Sequence, residues 1–200
     1  MRNILQINTS LFAEQGQSSR LAKALIDGWR LRHPEDRIVL RDLASNPVPH
    51  LTAERFQAFT TPAAQRTPAQ QAIAAASDEL IDELRAADVV VLGLPMYNFG
   101  IPSTLKAYFD HIARAGVSFR YTADGPQGLL GDKKVYILAA RGGLYAGTPL
   151  DTQSAYVRDF LGFLGLRDIE FIYAEGLARG DEHKTRSLVS AGRSIEQLAA

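Results

Sequence analysis

The chain of 200 residues contains no cysteine, only one tryptophan and only two methionines. The lack of cysteine excludes disulfides, thiol redox chemistry and cysteine metal sites, so any redox activity requires a bound cofactor. There is also no excess of charge, because 22 Lys and Arg residues balance 22 Asp and Glu residues. This balance argues against binding nucleic acid or a membrane surface through bulk charge, and it leaves room only for a local basic patch.

Long hydrophobic runs are missing as well. No stretch approaches the roughly 18 apolar residues of a membrane span, and the apolar run within residues 1–8 is too short for a signal peptide. We therefore expect a cytoplasmic protein with no membrane partner. The length and the 46% hydrophobic content fit one domain, residues 1–200, with a sizeable core.

Short apolar runs alternate with helical patterns along the whole chain. The apolar runs predict five strands, at residues 3–8, 37–42, 88–94, 133–140 and 168–174. Periodic patterns predict helices over residues 18–32, 68–87, 102–115, 148–164 and 181–198, with a shorter one near 51–59. The alternation predicts an α/β fold, a doubly wound parallel sheet with helices on both faces. Such sheets bind ligands at the carboxyl ends of their strands, so the segments after the first, third and fourth strands form the candidate site.

The segment after the first strand brings hydroxyl and amide side chains to the start of a helix. Ser10 is followed by Gly16, Gln17 and Ser18, and a helix N-terminus with free N–H groups suits a phosphate. No Gly-x-Gly-x-x-Gly or Gly-Lys-Ser/Thr motif occurs, which disfavours the dinucleotide fold and the P-loop. Serine is also a favoured helix cap, so a phosphate site and a plain cap both remain open.

The loop after the third strand carries Met96, Tyr97, Asn98 and Phe99 between two prolines. The prolines would fix the backbone, and the side chains offer a flat apolar wall and an amide that donates and accepts hydrogen bonds. This set suits an isoalloxazine ring, which has a flat face and a polar edge. A core turn with its aromatic side chains packed inward is the alternative.

The fourth strand ends at Ala140, and Arg141, Gly142 and Gly143 follow it. The two glycines allow the backbone to approach a ligand closely. Their N–H groups could donate to the flavin pyrimidine oxygen near N1, where reduction places negative charge. Arg141 could reinforce that charge or pair with a carboxylate elsewhere, and we expect the backbone of this segment to contribute more than the arginine side chain.

Together these segments resemble the FMN-dependent NADH-azoreductases, which are flavodoxin-like quinone reductases of bacteria. The similarity runs in order along nearly the whole chain and is carried by residues 41–49, 95–99, 113–121, 141–143 and 160–165. The resemblance implies a flavodoxin-like fold, tightly bound non-covalent FMN, and NADH or NADPH as the electron donor. It also implies quinones and azo compounds as acceptors, a ping-pong two-electron hydride transfer, and a homodimer with each active site at the subunit interface.

The resemblance also assigns roles to individual residues. Ser10 and the segment of Gly16, Gln17 and Ser18 would hold the FMN phosphate, residues 96–99 would line the isoalloxazine and the ribityl chain, and residues 140–143 would contact the pyrimidine side. Family members often have serine where Ala140 and Gly16 stand, and backbone donors could replace both hydroxyls. The substrate slot would be walled, partly from the second subunit, by Phe119, Tyr121, Phe160 and Phe163. Plain core or dimer packing is the alternative for these four, and residues 51–68 could cover the pocket.

No catalytic side chain is required, because a bound flavin would carry the hydride chemistry. Protons could come from water, from Tyr121 or from Tyr145. The four histidines have no metal-ligand spacing, so we expect no metal site. The rival interpretation is a flavin-binding module that relays electrons or regulates a protein partner without turnover of its own. One-electron flavodoxins are usually strongly acidic, and the neutral charge of this chain favours the enzyme.

Overall fold

The computed structural model of the protein describes residues 1–198. Its strands are β1 (Asn3–Asn8), β2 (Arg37–Asp42), β3 (Val89–Pro95), β4 (Phe119–Thr122), β5 (Gly125–Gly128), β6 (Lys134–Ala140) and β7 (Ile169–Ala174). Its α-helices are α1 (Gln17–Arg32), α2 (Ala53–Thr60), α3 (Pro68–Ala86), α4 (Ser103–Ile112), α5 (Thr152–Phe163) and α6 (Asp181–Leu198). No helix within this part of the chain is long and apolar enough to cross a membrane.

The five strands predicted from the sequence form one parallel sheet in the order β2-β1-β3-β6-β7. The chain builds outward from β1 to β2 and then returns to place β3 on the other side of β1. The strand order therefore reverses between β1 and β3, which opens a crevice at their carboxyl ends. This architecture confirms the predicted doubly wound fold.

Both faces of the sheet are covered by helices because successive strand residues point to opposite sides. On one face Leu5 and Ile7 of β1 join a cluster with the buried residues of α3, α4 and α5. On the other face Ile4 joins a cluster with α1 and α6, which includes Trp29. Strand β3 is buried along its whole length, as its continuous apolar run predicts.

The structure departs from the sequence-based expectation in three places. Strands β4 and β5 form an antiparallel hairpin that was not predicted. Helix α4 ends at Ile112, before the predicted end at residue 115, and Gly116 adopts a positive φ of 78° in the turn that follows. Helix α5 begins at Thr152, after the predicted start at residue 148, because the Asp151 carboxylate accepts the Ser154 N–H and caps the helix there.

Candidate cofactor site

The strand register brings the three predicted segments to one edge of the sheet. Asn8 at the end of β1 pairs with Gly93 of β3, and Pro95 at the end of β3 pairs with Ala140 of β6. The pairing continues one step further, since the Met96 N–H donates to the Ala140 carbonyl at 3.1 Å. The loops that follow β1, β3 and β6 therefore leave the sheet side by side.

Helix α1 points its N-terminus into this edge with no side chain capping it. Its N-cap is Gly16, which makes no side-chain cap hydrogen bond, so serine does not serve as the cap. The hydroxyls of Ser18 and Ser19 are buried and have no hydrogen-bond partner within residues 1–198. A Cβ at position 93 would lie 3.1 Å from the Ser18 carbonyl oxygen, so glycine at that point of β3 lets the first turn of α1 approach closely. Free helix N–H groups and orphaned hydroxyls together suit a phosphate.

Ser10 and Tyr97 connect the first two loops. The Tyr97 hydroxyl accepts the Leu11 N–H at 3.2 Å and lies 3.4 Å from the Ser10 hydroxyl. The Ser10 hydroxyl also accepts the Phe12 N–H at 3.2 Å. A side chain at position 16 would collide with the Ser10 hydroxyl as it stands, which accounts for glycine there. The loop after β1 and the loop after β3 are thus fixed relative to each other.

The loop after β3 is a tight turn with a strained backbone. Tyr97 and Gly100 exchange two backbone hydrogen bonds, of 3.1 and 2.9 Å, across the central residues Asn98 and Phe99. Both central residues have positive φ, 49° and 64°, as a type I′ turn requires. Asparagine tolerates this conformation, but for phenylalanine it costs roughly 1–2 kcal/mol. The Phe99 ring is 48% exposed and lies against Tyr145 with 5.6 Å between ring centroids. The loop is therefore not a core turn with its aromatic side chains packed inward.

The Arg141 side chain turns away from the edge and is buried completely. Its guanidinium donates to Asp151 at 2.9 Å, to Glu175 at 3.2 Å and to the Ser154 hydroxyl at 2.8 Å. It also lies over the Tyr173 ring. Burial alone would raise the pKa of Asp151, but the hydrogen bonds from Arg141 and Ser154 hold that pKa below its ordinary value. Arg141 thus pairs with carboxylates, one of the two roles that the sequence left open.

The backbone after Arg141 has free donors. The Gly142 carbonyl accepts the Ala178 N–H at 3.0 Å, and the Gly143 carbonyl accepts the Gly176 N–H at 2.8 Å. The N–H groups of Gly142 and Gly143 have no hydrogen-bond acceptor within the described part of the chain. Their carbonyls are therefore hydrogen-bonded to the loop after β7, while their N–H groups are available to a ligand.

Side chains and backbone from these loops line a cavity of about 460 Å³. Its lining residues are Met96, Asn98, Phe99, Gly142, Gly143, Tyr145 and Ala178. Ala178 was not predicted, although the rule that ligands bind at strand ends applies equally to the loop after β7. A larger cavity of about 600 Å³ lies between residues 45–49 and α3, with the buried His111 in its wall. Neither Gly142 nor Gly143 lines this larger cavity, so we assign the site to the strand ends.

Comparison of the sequence and the structure with known proteins identifies the family of this chain. Residues 2–199 match the Flavodoxin_2 family model, which describes a flavodoxin-like fold. The chain belongs to this flavodoxin-like family. A protein of Cellvibrio japonicus is 59% identical over 200 residues, which is all of both chains, and one of Alcanivorax borkumensis is 55% identical over 94% of this chain and 96% of its own. Both are named FMN-dependent NADH:quinone oxidoreductase.

Solved structures agree with this family. The azoreductase from Bacillus anthracis Sterne has a TM-score of 0.91 and 29% identity, with 100% of this chain and 99% of that chain covered. The FMN-dependent NADH-azoreductase from Bacillus anthracis Ames Ancestor, solved in complex with FMN, has a TM-score of 0.90 and 26% identity over 100% and 98%. The predicted resemblance to the azoreductases is therefore confirmed.

The four aromatic residues predicted to wall a substrate slot lie outside the cavity that we assign to the cofactor, and their place in such a slot stays a prediction. Phe160 stacks on Phe109 with 4.0 Å between ring centroids. Phe163 packs against Phe119, which is buried and also contacts Tyr121. None of the four lines the 460 Å³ cavity within residues 1–198. Because α5 rises about 1.5 Å per residue, Phe160 and Phe163 lie about 12 and 17 Å along the helix from Thr152, whose hydroxyl contacts the Phe99 carbonyl.

The chemistry of the strand ends fits FMN in three respects. The α1 N-terminus and the orphaned Ser18 hydroxyl suit its phosphate. The free N–H groups of Gly142 and Gly143 suit the carbonyl oxygens of its pyrimidine ring. Met96 and Phe99 present apolar surface in the cavity that Gly142 and Gly143 also line, and a flat ring requires such a surface.

Proposed function

We propose that this chain is an FMN-dependent NAD(P)H oxidoreductase that reduces quinones and azo compounds by ping-pong two-electron hydride transfer at a homodimer interface. The observation that carries the proposal is the meeting of an uncapped helix N-terminus with two free glycine N–H groups at one edge of the sheet. Relatives named FMN-dependent NADH:quinone oxidoreductase support FMN as the cofactor, NADH as the donor and quinones as acceptors, and the similar azoreductase structures support azo compounds. A cytoplasmic location remains a prediction.

The residues of the chain would bind and polarise the cofactor rather than react themselves. Bound FMN would supply the hydride chemistry. The first turn of α1, with Gln17 and Ser18, would hold the phosphate. The N–H groups of Gly142 and Gly143 would donate to the pyrimidine side and favour negative charge there, because they are already oriented in the chain. Tyr145 stands beside Gly143 and is the nearer of the two candidate proton donors.

A ping-pong order is expected if both substrates use the same face of the bound ring. Met96, Phe99 and the free glycine donors line the cavity of about 460 Å³ that would hold the ring, and Tyr145 stands at its wall. A reduced nicotinamide and an aromatic acceptor would each have to lie flat against the face that the ring leaves open, so they would bind there in turn. The residues of the slot then serve mainly to orient two successive flat ligands.

The homodimer is supported by apolar side chains that are exposed around the site. The large exposed hydrophobic residues on the strand-end loops are Leu11, Phe12, Phe99, Leu144 and Leu150. A cluster of this kind at one edge of a soluble domain is typical of a protein interface. A second copy seated there could bring the hairpin with Tyr121, which is 75% exposed, over the slot. Tyr121 is a candidate proton donor only in such a dimer.

The proposal is tested with purified protein loaded with FMN. Initial rates of NADH and of NADPH oxidation are measured against a panel of quinones and azo dyes, and light scattering gives the mass in solution. We expect a yellow dimer that shows parallel lines in double-reciprocal plots. A colourless protein that rejects added FMN would contradict the proposal, and a yellow protein that oxidises no nicotinamide would favour the electron-relay module. A monomer with full activity would contradict the interface site alone.

A further inference from the structure

Gln153 lies behind the cofactor loops and contacts both ends of one of them. It is the second residue of α5, and only 1% of it is exposed. Its amide nitrogen donates to the Pro95 carbonyl at 2.8 Å and to the Gly100 carbonyl at 3.2 Å. These two carbonyls flank the Met96–Phe99 segment, so one amide group spans the base of the turn.

The other side of the same amide faces the second cofactor loop. The Gln153 amide oxygen lies 3.4 Å from the Arg141 guanidinium, and Arg141 is the residue immediately before the two donor glycines. Only one orientation of the amide satisfies these contacts, because a guanidinium has no acceptor and a carbonyl has no donor. Glutamine therefore fits both neighbours at once, which neither a carboxylate nor an ammonium group could do.

The first turn of α5 supports the strained turn at a third point. The Thr152 hydroxyl donates to the Phe99 carbonyl, and Phe99 is one of the two residues with positive φ. The start of α5 is itself anchored, because Asp151 accepts both the Ser154 N–H at 3.0 Å and the Arg141 guanidinium at 2.9 Å. The left-handed conformation of the turn is thus fixed from outside the loop.

We propose that Gln153 is a positioning residue for the cofactor site. By joining the carbonyls of Pro95 and Gly100 to the Arg141 side chain, it fixes the spacing between the apolar wall at residues 96–99 and the N–H donors at residues 142–143. Gln153 does not line the slot and touches no reactant. The inference rests on the proposed function, since the ligand whose binding reports the spacing is FMN.

The test compares Gln153→Met and Gln153→Glu with Gln70→Met as a matched control. Methionine keeps the length of the side chain but leaves two carbonyls without a donor. Glutamate keeps the contact with Arg141 but places a carboxylate oxygen against the Pro95 and Gly100 carbonyls. Gln70 also lies in the first turn of a helix, α3, where its side chain accepts the Thr67 N–H at 3.0 Å. It is remote from the strand ends and controls for the loss of a first-turn glutamine.

Two measurements separate positioning from general stability. Without FMN, amide hydrogen exchange within residues 96–100 should accelerate in both Gln153 variants and not in the control. With FMN, the dissociation constant should rise about tenfold, the size expected if the arrangement that binds FMN loses the support of one buried hydrogen bond. At saturating FMN the midpoint potential should become more negative, because displaced N–H donors stabilise the reduced ring less. Should Gln153→Met fail to fold, Gln153→Glu carries the same comparisons.

The outcomes distinguish this inference from the proposed function. Gln153 variants with the exchange rates, FMN affinity and potential of the unmodified protein would overturn the positioning role and leave the proposed function intact. Weaker FMN binding with an unchanged potential would show a purely structural glutamine and would also overturn it. If the unmodified protein binds no FMN, the proposed function fails, and the exchange measurement still decides whether Gln153 fixes the turn.

Discussion

Replacing Arg141 by methionine removes the cation that pairs with Asp151 and Glu175 in a buried cluster beside the candidate site. The Arg141 side chain is 0% exposed, and the Asp151 and Glu175 side chains are 8% and 14% exposed. Removing one partner from a buried ion pair typically costs 3–5 kcal/mol, because the remaining charge stays buried without compensation. Here Asp151 keeps the Ser154 N–H, and Glu175 keeps the Tyr145 and Ala146 N–H groups. We therefore expect R141M to lose free energy of unfolding near the lower limit of this range, about 3 kcal/mol at pH 7.

The free energy of unfolding that R141M loses should be larger at pH 7 than at pH 4.5. Hydrogen bonds from Arg141 and Ser154 outweigh burial and lower the pKa of Asp151. A carboxyl group with a lowered folded pKa contributes stability above its unfolded pKa, and the contribution disappears as the pH falls through the folded value. In R141M the strongest of these donors is gone, so burial should raise the Asp151 pKa instead. The carboxyl can then be protonated in mild acid, and the difference between variant and unmodified protein should shrink from pH 7 to pH 4.5.

Urea unfolding at equal protein concentration, followed by the fluorescence of the buried Trp29, measures the free energy of unfolding that R141M loses at pH 7 and at pH 4.5. The matched control is R158M, which removes an exposed arginine of α5 that donates to the Ile169 carbonyl at 3.1 Å. The control should lose less than about 1 kcal/mol at both pH values. A loss below 1 kcal/mol for R141M, or an equal loss at pH 7 and pH 4.5, would refute the reasoning.

Four further substitutions have expected outcomes. S18A should weaken FMN binding about tenfold or more in a fluorescence titration if the unpartnered Ser18 hydroxyl bonds the phosphate as we propose. Unchanged affinity would remove Ser18 from the phosphate site. G128A should lower the melting temperature sharply, because the new methyl group collides with the backbone of residues 164–165. G192A should instead stabilise α6 by up to about 1 kcal/mol, because a Cβ at that position meets nothing within 4 Å. Y145F should slow reoxidation by quinone at least tenfold if Tyr145 supplies a proton, and stopped-flow traces identical to those of the unmodified protein would assign the proton to water.

The strands could be predicted from the sequence because each one is a compact apolar run. The bounds of β1 and β2 agree with the prediction to the residue, and the other three sheet strands agree within one residue. The β4–β5 hairpin gives no such signal, since of its eight residues only Phe119 is buried. Its Gly128 packs against the backbone at the end of α5, a contact between segments distant in sequence that no local pattern encodes.

The main segments of the candidate site were predictable, but their supports were not. The rule that ligands bind at strand ends selects the loops after β1, β3 and β6, and the structure brings those loops together. The supporting contacts join residues far apart in sequence, with 34 positions between Arg141 and Glu175 and 58 between Gln153 and Pro95. A single glutamine or glutamate in a helical or loop pattern resembles any solvated polar residue, so the sequence gives no reason to select it.

The turn at Asn98 and Phe99 shows why those supports matter for the chemistry. A type I′ turn favours glycine at its second central position, yet this chain places phenylalanine there with φ of 64°. A strained residue of this kind persists only where the surrounding structure fixes it. Here the fixing contacts come from Thr152 and Gln153 of α5. The backbone conformation of Phe99, which lines the candidate cavity, thus depends on a helix start that does not line it, and the sequence of the loop alone does not specify that conformation.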